Sequence, residues 1–237
     1  MKHFLCCSLV LAAMLVGSCA KNGIADPTGE TPTVVRKVAD YTFRKVIGTQ
    51  MTLQFRTISF SDTGDTTIVL GSKYRYTVVD TALLRTDGKR CLAIQRETIT
   101  DGEVRFTDTT QQFTDGAQLI TFERMTDTVG RRRLVEPVRV GTWFLYRDTF
   151  GNAESNRYSI VGVDVPVTTP LGTYQAVHVR MASQTPDPVG TRKFTDEQWL
   201  VPGMHIVLQR QTNQYVLANG GATTTSISEF VMVERNW

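Results

Sequence analysis

Between Lys73 and Thr126 apolar and polar residues alternate with a period of two, and one triplet interrupts the alternation three times. Thr86-Asp87-Gly88, Thr100-Asp101-Gly102 and Thr114-Asp115-Gly116 stand 14 residues apart. Asp-Gly between alternating segments marks a hairpin turn, because Gly adopts positive φ at little cost and Asp bonds to its own backbone. Three equally spaced turns predict four antiparallel strands with turns at Asp87, Asp101 and Asp115. Each strand would have roughly eleven residues and reach ~37 Å, about twice the usual length. Strands this long suggest a large, strongly curved sheet.

Three-residue loops centred on the aspartates would pair residues whose numbers sum to 174, 202 and 230. Even positions then face even positions across all four strands. The even face collects Tyr74, Tyr76, Val78, Leu92, Ile94, Phe106, Ile120 and Phe122, whereas the odd face carries Arg75, Glu97, Arg105, Thr107 and Glu123. The even face is therefore the expected core face, with Phe106 and Phe122 buried and Arg105 and Glu123 exposed. Cys91, Ala93, Ile99 and Phe113 fall on the odd side and are expected under a covering loop.

The rest of the chain reads the same way. Tyr41–Ile47 and Met51–Phe60 predict a hairpin. Val163–Thr169 and Gly172–Met181 flank a turn, Phe194–Leu200 and His205–Gln211 flank Val201-Pro202-Gly203, and Ile227–Val233 closes the chain. No amphipathic helix of four turns follows the N-terminus. The fold class is all-β: a large curved antiparallel sheet, as a half-barrel, open barrel or sandwich, built on a long-stranded meander. Gly71–Tyr76 resembles Gly141–Tyr146, and Ile120–Thr126 resembles Ile206–Thr212, so two similar halves, 34–130 and 134–237, are one reading. Similar strand openings in similar sheets are the other.

The N-terminus changes the picture. Lys2 precedes an uncharged run from Phe4 to Val16, which describes an export signal and is short for a bilayer span. It ends Val16-Gly17-Ser18-Cys19, which resembles the lipobox of bacterial lipoproteins. The resemblance implies that residues 1–18 are removed and that Cys19 is the lipid attachment site; an ordinary signal with a chance cysteine is the plainer alternative. Two or more acyl chains anchor stably where one does not. Ala20 is not the Asp that retains such proteins in the inner membrane of enterobacteria, so the resemblance leans to the outer membrane. Residues 19–33, rich in Gly, Pro and Thr, read as a flexible tether with a reach of about 20 Å. Residues 34–237 then form a single β domain.

Net charge is +3, and +2 once Lys2 is gone, which predicts no nucleic-acid partner. Cys6 and Cys7 lie in the signal, so with Cys19 acylated Cys91 is the one remaining thiol and reads as a small buried hydrophobe.

Candidate chemistry is sparse. Asp62-Thr63-Gly64 matches the aspartic-protease triplet, but no second copy exists to share a proton, and a loop is the better reading. His178 reads as a satisfied sheet histidine and His205, after Pro202-Gly203, as exposed. No zinc spacing or G-x-S-x-G elbow appears. Asp196 and Glu197 are neighbours on a strand and point to opposite faces. Arg131-Arg132-Arg133 reads as a solvated linker run, with contact to anionic headgroups as an alternative. Trp143, Trp199 and Trp237 read as core, with a groove lining as an alternative. No catalytic, metal or cofactor residue is assigned.

Val165-Pro166-Val167-Thr168-Thr169-Pro170-Leu171-Gly172-Thr173-Tyr174 and Trp199-Leu200-Val201-Pro202-Gly203-Met204 resemble turn motifs of bacterial envelope proteins related to the half-barrel LolA/LolB lipoprotein carriers. The resemblance covers roughly residues 137–212 and implies a curved antiparallel sheet; the long lid helix of the carriers has no counterpart. Three function classes follow. The first is a non-catalytic envelope lipoprotein, held on the membrane through Cys19, that offers a sheet surface or groove to an apolar ligand or an envelope protein. The second is a structural subunit with a terminal strand, Ile227–Val233, for donation. The third is a hydrolase. Replacing Cys19 with Ala should move the protein from the membrane pellet to a soluble or uncleaved form; a variant that stays membrane-bound with a normally processed N-terminus would refute the anchor.

Overall fold

The computed structural model describes residues 35–60, 65–146, 157–219 and 223–237. The expected signal, Cys19, the tether and Asp62-Thr63-Gly64 lie outside the described residues. The strands are β1 (Gln50–Phe60), β2 (Thr66–Leu84), β3 (Arg90–Thr100), β4 (Glu103–Thr114), β5 (Gln118–Phe122), β6 (Arg131–Val135), β7 (Trp143–Leu145), β8 (Arg157–Thr169), β9 (Gly172–Asp187), β10 (Gly190–Val201), β11 (His205–Leu217) and β12 (Thr223–Arg235). They form one antiparallel sheet of 12 strands in the order β6-β5-β4-β3-β2-β1-β12-β11-β10-β9-β8-β7. The first and last strands of this order meet: the Arg132 amide donates to the Tyr146 carbonyl at 2.9 Å, and the Arg132 guanidinium reaches the Leu145 carbonyl at 3.2 Å. The sheet thus curls into a nearly closed barrel, and Val35–Trp237 is a compact unit with its own core. The all-β, large curved antiparallel sheet read from the pattern is the observed fold.

All three Asp-Gly turns are present, and their geometry explains where the face assignment holds. At Asp101-Gly102 both residues have positive φ, 54° and 80°. This is the type I′ signature of a two-residue loop, so Thr100 pairs with Glu103. An irregularity after Thr98 restores even pairing, with Ile94 opposite Thr110 and Arg96 opposite Asp108. Between β2 and β3 even also pairs with even, Tyr76 opposite Arg96 and Val78 opposite Ile94. The third turn is longer: Thr114 pairs with Leu119 and Gln111 with Phe122. That odd sum reverses the parity of β5. Phe122 is buried, as expected, but on the outer face, and Glu123 turns inward rather than outward.

Phe122 lies 3.8 Å below the Arg85 guanidinium, which itself bonds to the Gln111 side chain and the carbonyls of Arg124 and Asp127. A Cβ on Gly130 would stand 2.2 Å from Ile120 Cγ2, so the 123–130 connection presses directly on this outer patch. Of the four odd-side residues expected under a covering loop, Cys91 and Ala93 are buried, and Ile99 and Phe113 are half-buried. Phe106 corrects the expectation the other way. It keeps its inward parity but is 56% exposed, because β5 pairs only with Gln111–Thr114 and leaves the first part of β4 beyond the closed wall.

Tyr41–Ile47 is not a strand. Val38–Tyr41 is a 3-10 turn that enters one end of the barrel. The Val38 amide donates to Glu136 at 2.7 Å, the Phe43 amide to the Gln112 side chain at 3.1 Å, and the Gly203 amide to the Asp40 carbonyl at 2.7 Å. These bonds satisfy a backbone that pairs with no strand. Tyr41 packs with Leu119, Leu134, Phe144 and Leu200, and Phe43 with Met51, Val78 and Ile94. The segment is a plug whose apolar residues close that end.

None of the three tryptophans lines the interior. Trp143 is 56% exposed. Trp199 and Trp237 join a cluster in which Val167 and Ala176, near the β8–β9 tip, meet Val207 and Val231. The repeat motifs fall on β2 and β7, and on β5 and β11. β12 is paired along both edges, with β1 and β11, so the strand considered for donation is central to the sheet.

Phe122→Ala should cost about 3–5 kcal/mol, as for a fully packed aromatic. Phe106→Ala should stay within about 0.5 kcal/mol. Denaturant midpoints of the two variants check this; equal losses would place Phe106 inside a packed core.

Candidate functional site: the barrel cavity

Closing the sheet around the plug leaves a cavity of about 650 Å³, within the range of small-molecule sites. Its lining is divided. Met51 and Leu53 from β1, Ile94 from β3 and Phe230 from β12 form an apolar wall, with Phe43 at the plug; Arg96, two residues beyond Ile94, and Gln209, opposite Phe230, border it. The facing wall is polar: Thr121 and Glu123 at the end of β5, Arg131 and Arg133 from β6, Tyr146 beyond β7, and Asp196 from β10. Period-two geometry places Arg131 and Arg133 on one face of β6 and turns Arg132 away, towards Gln118 and the seam.

The cavity charges are not equally matched. Arg96 forks onto Asp108 and lies 3.7 Å from Glu123. Arg131 pairs with Glu123 at 2.9 Å. Asp196 is surrounded by neutral donors, namely Tyr158 Oη, Gln198 Nε2 at 3.1 Å and Gln209 Nε2 at 2.9 Å. Burial, and then the Asp196 charge and hydrogen bond, push the Tyr158 phenol well above its ordinary value. Arg133 has no carboxylate within ion-pair distance among the described residues; its guanidinium stands 5.2 Å from the centre of the Tyr146 ring. Its Nε is buried without a hydrogen-bond partner, as are Arg131 Nε, Thr121 Oγ1 and His205 Nδ1. Four orphaned polar atoms around one cavity mark a place where something polar is received.

His205 lines the same cavity. It is buried rather than exposed, and holds a positive φ of 64°. Burial, reinforced by Arg133, pushes its imidazole down to about 3, so the ring is neutral at physiological pH. His178 lies elsewhere. It stacks on Trp199 at 4.3 Å, with Nε2 3.2 Å from Glu197. Burial lowers its pKa in spite of that carboxylate. Asp196 and Glu197 do point to opposite faces, one into the cavity and one towards His178. Cys91 is buried, and burial raises its thiol pKa.

The arginine run is the correction with consequences. Arg131-Arg132-Arg133 is not a solvated linker but a barrel strand, and two of its three guanidinium groups face inward. The alternation Arg131 in, Arg132 out was a partial signal, but the ladder irregularity at Arg133, after which Leu134 faces inward beside Leu119, had none. Nothing in the sequence placed the segment opposite β7. The Tyr158–Asp196 pair and the burial of His205 had no local signature. Among the described residues no group of His, Cys, Asp and Glu has metal-binding geometry.

No protein-family model matches the chain, and no curated protein matches its sequence. Two solved structures align with it. One is from Bacteroides fragilis, provisionally described as an exported protein with a YMCC-like fold: 16% identical, covering 82% of this chain and 98% of that one, with a TM-score of 0.49. The other is from Parabacteroides distasonis, provisionally described as a lipoprotein: 14% identical, covering 85% of this chain and all of that one, with a TM-score of 0.47.

The state of His205 sets a pH dependence. A histidine whose folded pKa is depressed takes up its proton on unfolding, so its contribution is complete above the unfolded value near 6.5 and is lost as pH falls towards about 3. Between about pH 7 and pH 5.5 the loss should be about 1 kcal/mol. His205→Asn, which tolerates the left-handed backbone, should remove most of that slope. Denaturation at the two pH values measures both; an unchanged slope in the variant would show that His205 titrates normally.

Proposed function

We propose that this protein is a non-catalytic bacterial envelope lipoprotein that holds a small ligand inside its β-barrel. The reading rests on one observation above the others: a cavity of about 650 Å³ that the fold closes around and lines with one apolar and one polar wall. The Val16-Gly17-Ser18-Cys19 sequence supports attachment to a membrane through lipid on Cys19, with the outer membrane favoured by Ala20. A binding role is favoured over hydrolysis by the cavity's own groups. His205 is neutral and has an unpartnered Nδ1, and Asp196 is committed to Tyr158 and two glutamines. A base needs a reachable acceptor poised near the working pH, and Tyr158, pushed upward, does not supply one. Strand donation is disfavoured by the two-sided pairing of β12.

Native mass spectrometry of the protein extracted from its own membrane tests the reading. The wild type should carry a non-covalent small molecule in addition to the acyl mass on Cys19. Thr121→Phe puts a ring against the polar wall of the cavity and removes an unpartnered hydroxyl. It should keep the circular dichroism spectrum and carry less of the adduct. An adduct undiminished in Thr121→Phe would overturn a ligand seated on the polar wall.

A further inference from the structure

We infer that the cavity ligand is an amphiphile carrying one anionic group, a carboxylate or a phosphate, which docks on Arg133 while its apolar part lies along the Met51–Leu53–Ile94–Phe230 wall. The inference rests on the cavity-binding reading above and specifies its chemistry.

The first argument is the contrast between Arg133 and the other enclosed charges. On the outer face Glu229 is fully buried, and the protein supplies it with two guanidinium groups, Arg56 at 2.6 Å and Arg210 at 2.6 Å. Arg85 is buried and bonds to Gln111 and to two carbonyls. Within the cavity Arg96 and Arg131 have carboxylates. Arg133 alone among these faces the void with no carboxylate in contact and no hydrogen bond among the described residues, although the more distant Glu123 and Asp196 favour its charge. A guanidinium held out of bulk water without hydrogen bonds is costly. A site that retains one is arranged for an incoming anion, and the planar fork of Arg suits a carboxylate or a phosphate.

The second argument is the character of the surrounding atoms. Arg131 Nε is a second unpartnered donor on the same strand face. Thr121 Oγ1 adds a hydroxyl that donates or accepts. These groups hydrogen-bond an oxyanion without further charge. The third argument is segregation. A free inorganic anion needs only the β6 side; the opposing wall of two aliphatic residues, Met51 and a phenylalanine is contiguous with it and offers hydrophobic burial. A purely apolar ligand would leave Arg133 and its neighbours uncompensated. Only a molecule with both characters satisfies both walls.

The test uses residues 19–237 with Cys19→Ala, which retain the whole compact unit, and isothermal titration with decanoate, decyl phosphate, 1-decanol, decyltrimethylammonium and inorganic phosphate. Decanoate or decyl phosphate should bind at least ten-fold more tightly than 1-decanol and the ammonium amphiphile, and the two anionic arms show which headgroup is preferred. Inorganic phosphate should bind at least ten-fold more weakly than decyl phosphate. Arg133→Gln should bring the anionic amphiphiles down to the level of 1-decanol. Arg133→Lys should restore part of the difference, and Arg105→Gln, an exposed rim charge paired with Glu103, should change nothing. Equal binding of 1-decanol and the anions overturns the inference while leaving a cavity ligand in place. Inorganic phosphate binding as well as decyl phosphate overturns the amphiphile. If no probe binds, the cavity reading fails with it. Should Arg133→Gln not fold, the wild-type series decides alone.

Discussion

The seam between β6 and β7 is the contact on which the rest of the molecule depends. All eleven strand-to-strand interfaces of the sheet order join sequential strands or β1 to β12, and eight of them are long; the pairings of β5 with β4 and β6, and of β7 with β8, are short. An antiparallel sheet left open there would expose two edges with unpaired amides. Among the described residues the hydrogen bonds of the seam come from Arg132, through its amide and its guanidinium. With Arg132 committed outward, alternation leaves Arg131 and Arg133 no direction but inward. The closure of the barrel and the charge in its cavity are thus one decision about register. A slip by one residue would exchange Arg132 for both neighbours, bury a different guanidinium and release the seam bond to Leu145.

Strand number explains why there is a cavity at all. About eight strands give a barrel interior that side chains just fill, and diameter grows with strand count. Twelve strands enclose more volume than their inward residues occupy. The protein fills one end with the Val38–Tyr41 turn and Phe43, which lock onto Glu136, Gln112 and Gly203 through backbone bonds. The rest stays open. The polar wall is tolerable because most of its members answer one another: Arg131 with Glu123, Arg96 with Asp108, Tyr158 and Gln209 with Asp196. A core of this kind is less stabilising per residue than an apolar one, and the burden is carried by two apolar clusters, one around Phe43 and one around Val38 and Tyr41.

How much of this was legible in the sequence depended on how local the determining physics is. The place of the turn at Asp101-Gly102 was readable from two residues, as were the Pro170-Leu171 and Pro202-Gly203 turns. Its length was not: a three-residue loop was expected, and the type I′ loop would have reversed the parity of β4 had the irregularity after Thr98 not restored it. The parity of β5 was not readable either, because one residue more or less in the loop at Asp115 reverses the face of everything after it, and loop length is set by how Asp115 bonds the amides of Ala117 and Gln118. Tyr41–Ile47 has the composition of a strand, yet its aromatic residues find more burial inside the barrel end than in a ladder. The cavity site was the least legible part. It is assembled from residues on most strands of the sheet and on the plug, and its charged groups come from several separate strands.

His205 shows how the plug and the cavity share one constraint. Its positive φ is unusual for a side chain larger than Asn, and such strain persists where surrounding structure enforces it. Here the enforcement comes from the turn before it, where Gly203 bonds both to Asp40 and to Arg44. Those two bonds hold the plug against β11, and β11 must then start at a residue whose ring is driven inward beside Arg133. The ring is kept neutral by burial and by that guanidinium, so it adds no further positive charge to the cavity, and its Nδ1 has no partner. The plug therefore does more than fill volume. By fixing His205 in its strained and uncharged form, it leaves Arg133 facing the cavity with no contact partner among the described residues.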